Sequence, residues 1–101
     1  MELSITKPAV QWFKKEMGLD QGDFIRFFAR VGGCSTVQTG YSLGVSKELP
    51  MESGLSTNVD GITFFVEEKD LWYLDGHDLT VKYQRKYEEI TFDYKKNLAS
   101  T

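Results

Sequence analysis

Apolar residues recur along this chain with two different periods, and each change of period marks a new element. Between Thr6 and Gly18, Ala9, Phe13 and Met17 fall every four residues with Val10 beside them, while Gln11, Lys14 and Lys15 face away. That spacing predicts an amphipathic helix, with Thr6 as N-cap, Pro8 in the first turn and Gly18 as the stop. Trp12 lies off the stripe and is expected to cover a sheet edge or a partner surface. From Asp23 the period becomes two: Ile25, Phe27, Ala29 and Val31 share one face, and Phe24, Arg26, Phe28 and Arg30 the other. Gly32-Gly33-Cys34-Ser35 is expected to be a tight turn, after which Val37, Thr39, Tyr41, Leu43 and Val45 resume the alternation. Residues 46–54, with Pro50 and Gly54, are expected to form a loop. Leu55-Thr57-Val59 and Ile62-Phe64-Val66 flank Asp60-Gly61, the signal of a hairpin with a type I′ turn.

Glu67 to Leu74 predicts a helix of about two turns, with Leu71 and Leu74 on one side. Asp75-Gly76 then turns the chain into Leu79-Val81-Tyr83, and Ile90-Phe92-Tyr94 forms a last strand ahead of a polar, frayed tail from Lys95 to Thr101. The expectation is one mainly β domain over 1–101, a distorted sandwich or half-barrel. The first helix packs across it, a Lys69–Leu74 helix sits at a corner, and an exposed edge strand is available for pairing across a dimer. The missing strand–helix alternation argues against a doubly wound α/β fold.

Composition narrows the classes. The 101 residues carry 12 Lys+Arg against 15 Asp+Glu, a net charge of −3, so no basic stripe invites nucleic acid. The longest apolar run, Phe64-Phe65-Val66, is far short of the ~20 residues of a membrane span. The start, Met1-Glu2-Leu3-Ser4-Ile5, shows no secretory signal, and the single cysteine cannot form an internal disulfide; the expected location is a reducing cytoplasm.

Cys34 is the most informative residue. Two glycines before it free the backbone to aim amides at one point and lower the pKa of a thiol, so Cys34, with Gly33 and Ser35 shaping the turn, is a candidate soft-metal or electrophile site. The competing reading is a small buried hydrophobe in a turn. His77, the one histidine, lies between Asp75 and Asp78 and is a second candidate ligand, although a solitary turn histidine is more often merely solvated. Nothing in the spacing pairs Cys34 with His77 as nucleophile and base, and no third orienting group is evident, so no enzyme is expected. Glu67-Glu68 and Glu88-Glu89 read as solvated faces. Most aromatics fit core packing; Trp12, Trp72 and Tyr73 fit it least and are candidates for an interface.

Several segments, in order, resemble the HesB/IscA family of iron–sulfur cluster assembly proteins. They are Ile5-Thr6-Lys7-Pro8-Ala9-Val10, Phe24-Ile25-Arg26-Phe27-Phe28, Gly33-Cys34-Ser35 with Tyr41-Ser42-Leu43, Asp60-Gly61-Ile62 with Phe65-Val66, and Leu71 through Tyr73-Leu74-Asp75-Gly76. Together they span about Ser4 to Asn97. The resemblance implies a HesB-like fold, iron or an iron–sulfur cluster as ligand, and a homodimer or assembly and client proteins as partners. The family's C-terminal Cys-Gly-Cys is missing: Lys95 to Thr101 holds no cysteine, which places the chain nearest a shortened, YneR-type or HesB/YadR/YfhF-type branch. Iron–sulfur clusters are normally held by four thiolates, and a symmetric dimer here supplies two. Two functions therefore lead: a biogenesis accessory that binds iron or a cluster transiently through Cys34, and a non-catalytic binding module that keeps the scaffold without the ligation; a redox-active or enzymatic thiol at Cys34 stands third, since the sequence places no base beside it.

Overall fold

The computed structural model describes residues 1–34 and 37–96, with Cys34 by its backbone alone. A strand β1 (Leu3–Ile5) precedes helix α1 (Lys7–Met17), which is followed by β2 (Phe24–Cys34), β3 (Thr39–Lys47), β4 (Ser53–Val59) and β5 (Ile62–Glu67). A short 3-10 helix (Glu68–Leu74), β6 (His77–Gln84) and β7 (Glu89–Lys96) complete the described chain. The strands form two sheets, ordered β3-β2-β5-β4 and β1-β6-β7. The mainly β expectation holds. In the larger sheet β2 runs parallel to β5, and in the smaller β1 runs parallel to β6; the remaining pairs are antiparallel.

The two sheets share one core. Ile25, Phe27, Ile62, Phe64 and Val66 of the larger sheet meet Leu79 and Val81 of the smaller, and α1 adds Ala9, Val10 and Phe13. Phe27 is its hub: its ring lies 6.0 Å from that of Phe13, stacks at 6.0 Å on Phe64, and meets Phe92 edge-on at 5.9 Å. The helix follows its sequence signals. Pro8 stands in the first turn, the Thr6 N-cap makes no side-chain bond, and Gly18 closes the helix in the left-handed region at φ 59°. The Asp60-Gly61 hairpin turn also forms as expected, with positive φ at both residues (51° and 82°) and Val59 paired to Ile62.

Other expectations are corrected. Val31 belongs to the core face by alternation, yet it is 85% exposed, because β5 pairs β2 only along Phe24–Phe27. Beyond Phe27 β2 keeps only β3 as a strand neighbour. The glycines are not a tight turn: Gly32, Gly33 and Cys34 continue β2 through a bulge. The loop expected over 46–54 shrinks to 48–52, since β3 runs to Lys47 and β4 begins at Ser53. Gly54 lies in that strand, at a point where a Cβ would stand 2.9 Å from the Glu68 Cα. The expected two-turn helix is a 3-10 helix, whose three-residue repeat does align Leu71 with Leu74. Lys95 and Lys96 are no tail but the end of β7, where backbone pairing to Asp78 and His77 is indifferent to side-chain polarity. Tyr73 is no interface residue: it is buried, its hydroxyl 3.0 Å from that of Tyr94.

Candidate functional site

The β2–β3 hairpin that carries Cys34 is built by its glycines. Gly32 (φ 115°) and Gly33 (φ 73°) take conformations that side-chain-bearing residues avoid, and they make the bulge between Val31 and Cys34. Cys34 pairs with Thr39, and Val31 with Tyr41. A Cβ on Gly33 would touch Ser42, whose hydroxyl accepts from Arg30 Nε at 3.2 Å. The Cys34 side chain and Ser35 lie outside the described residues, so the structure positions this candidate site by the backbone leading into and out of it.

Aromatic contacts tie the hairpin to the 3-10 helix. The Tyr41 ring meets half-exposed Trp72 edge-on at 5.2 Å, and Gln38 Nε2 donates to the Trp72 carbonyl at 3.5 Å. His77 follows directly, at the start of β6. Its Nδ1 stands 2.9 Å from the Leu74 carbonyl and 3.0 Å from that of Asp75; both can only accept, so Nδ1 carries the proton and Nε2 is the nitrogen left for a ligand. Among the described residues, no three His, Cys, Asp or Glu side chains converge as a metal site. Trp12 meets Phe13 edge-on at 5.1 Å and, with Tyr83, lines an open groove of about 400 Å³ between α1 and the β6–β7 hairpin.

Sequence reasoning missed a second polar centre, on the outer face of the larger sheet. Glu67, expected on a solvated face, is 4% exposed. Its two oxygens accept the backbone N–H groups of Met51 (2.8 Å) and Glu52 (2.7 Å). These bonds, above all that from Met51, hold the Glu67 carboxyl below its ordinary range against the opposing effect of burial. Beside it Arg26 Nη2 donates to Asp70 at 3.0 Å and Nη1 to Glu48 at 3.4 Å, while Arg26 Nε is buried without a partner. The Ser46 hydroxyl and then Arg26 hold the Glu48 carboxyl low. Glu52 behaves oppositely, its carboxyl pushed up by the adjacent Glu68. The signal was present in β5, where Phe65 alternates outward beside Glu67: an aromatic on a supposedly wet face means that the face is covered.

No described helix is long and apolar enough to cross a membrane. The family described as "Iron-sulphur cluster biosynthesis" matches residues 1–101. The chain is 52% identical over 95 residues to a protein of Bacillus subtilis (strain 168) named pyruvate dehydrogenase inhibitor, covering 94% of this chain and 100% of that one. It is 36% identical over 98 residues to an uncharacterised protein of Staphylococcus saprophyticus, again covering all of the relative. Among solved structures it is similar to Escherichia coli SufA, a protein involved in biosynthesis of iron–sulfur clusters, with a TM-score of 0.60 over 94% of this chain and 80% of that one; at 21% identity this likeness shows the shared fold.

Proposed function

This chain belongs to the iron–sulfur cluster biosynthesis family, and from that premise we propose that it works as a non-catalytic binding member of the family, docking on a pyruvate dehydrogenase complex and lowering its activity. The observation that carries this reading is the 52% identity over 95 residues with the Bacillus subtilis inhibitor. Ligand chemistry supports it. One cysteine in 101 residues falls far short of the four thiolates that usually hold a cluster, so a resident cluster does not fit one chain's donors. Inhibition by docking needs none: a protein that covers a channel or fixes an idle conformation acts through its surface alone. Titrating the purified chain into a bacterial pyruvate dehydrogenase complex should lower NADH formation saturably, with co-sedimentation of the two. An unchanged rate at about 0.1 mM, where even a weak complex is populated, would overturn the reading.

The glycine bulge favours a second reading, in which iron or a cluster is cargo passed on through Cys34. Two Cys34 thiolates from a symmetric dimer would share the cargo with an exogenous thiol, and His77 Nε2 is a further donor of the right type. Anaerobic reconstitution with iron and sulfide should then give a visible chromophore that Cys34→Ser loses. Equal iron content in both proteins removes this reading and leaves the first intact.

A further inference from the structure

We propose that the Leu49–Met51 loop is the docking surface, and that its occupant is an apolar cleft rimmed by lysine or arginine side chains on the pyruvate dehydrogenase complex; this rests on the inhibitory reading above. Leu49 and Met51 are 74% and 93% exposed, and Pro50 between them stiffens the backbone. An apolar pair this open would ordinarily ride on a loose loop. This loop is fastened at both ends.

On one side Glu67, a buried carboxylate, uses both oxygens to hold the N–H groups of Met51 and Glu52, and the Glu68 N–H donates to the Glu52 carbonyl at 2.8 Å. On the other, Glu48 is held by Arg26 and the Ser46 hydroxyl. A loop already ordered loses little freedom on binding, and rigid apolar side chains presented to a pocket are the usual anchors of an interface.

The surrounding charge selects the partner. Glu48, Glu52 and Glu68 rim the loop, and the Glu52 and Glu68 carboxyls crowd each other enough to hinder ionisation of the first. The cations at hand are Arg26, committed to Asp70 and Glu48, Lys47, committed to Asp23 at 3.3 Å, and Lys69, whose charge acts on Glu67. Glu48, Glu52, Glu67 and Glu68 thus share Arg26, itself divided with Asp70, and Lys69, and a partner that brings further cations relieves this acidic excess. A second copy of this chain is disfavoured, because a two-fold contact centred on the loop sets acid against acid.

The test uses the intact chain and the purified complex. Leu49→Ser/Met51→Ser changes two exposed side chains, so its melting curve should match the wild type while its affinity falls at least about tenfold. Glu52→Gln/Glu68→Gln should fold as well or better, because repulsion is removed, and yet bind more weakly and with a shallower salt dependence. If the wild type binds and both variants bind equally well, the loop is not the docking surface and the inhibitory reading survives. If the wild type does not bind, the inhibitory reading falls and the docking surface with it.

Discussion

Phe27→Ala should cost about 3–5 kcal/mol and lower the melting temperature by roughly 15–30 °C, the largest loss of any single truncation in this domain. The ring is fully buried and touches an aromatic from each layer of the molecule: Phe13 of α1, Phe64 of the larger sheet and Phe92 of the smaller. Removing it leaves a cavity that no single element can close, since each neighbour is anchored in a different part of the fold. Phe28→Ala is the matched control. Phe28 lies next in sequence but on the outer face, under the Arg26 guanidinium and over Gly44, and is only partly buried. Its loss should be less than half as large. Urea unfolding of the two variants decides the matter; equal losses would mean that the sheets do not share the core described above.

That contrast also shows why so much of the fold was legible. Phe27 and Phe28 differ by one step of a two-residue period, and the alternation assigned them to opposite faces correctly. The same period located β3 and the Asp60-Gly61 hairpin, and the four-residue stripe located α1 with its stop at Gly18. It failed where backbone pairing, not side-chain burial, makes the strand. β1 is three residues long, too short to show a period, and exists because β6 offers it a parallel edge. Lys95 and Lys96 extend β7 despite their charge for the same reason. Val31 failed in the opposite sense: its alternation is sound, but the neighbouring strand that would bury it has ended.

The candidate residues divide similarly. Cys34 was visible because two glycines directly precede the one cysteine of the chain, and both glycines take the positive φ expected of them. Tyr73 was misjudged because its partner, Tyr94, is distant in sequence and meets it only in the folded core. Glu67 and Arg26 were missed because a charged residue on the polar phase of a strand is ordinarily solvated. Only a loop crossing that face covers them, and no local period announces a crossing loop.

Arg26 is accordingly where the second large effect is expected. Arg26→Met should cost about 3 kcal/mol at pH 7, because it leaves the mostly buried Asp70 carboxylate without its ion-pair partner and strips Glu48 and Glu67 of the same positive charge. The Glu48 and Glu67 carboxyls are held below their ordinary range in the native state, so their contribution is complete above the unfolded value near pH 4.5 and is lost as pH falls through the lower native one. Wild-type stability should therefore drop on acidification through that window. The gap between wild type and Arg26→Met should narrow over the same window, since protonated carboxyls no longer need the guanidinium. Arg26→Met/Asp70→Leu should recover most of the loss at pH 7: removing both charges also disposes of the buried, unpartnered Nε, and apolar side chains of similar volume can replace such a pair. Urea midpoints of the wild type, both single variants and the double variant at pH 7 and pH 3 complete the test. A double variant as weak as the sum of its parts would show that each residue holds the 48–52 loop on its own. A recovered double variant with weakened docking would show that the cluster serves to present Leu49 and Met51 more than to stabilise the sheet beneath them.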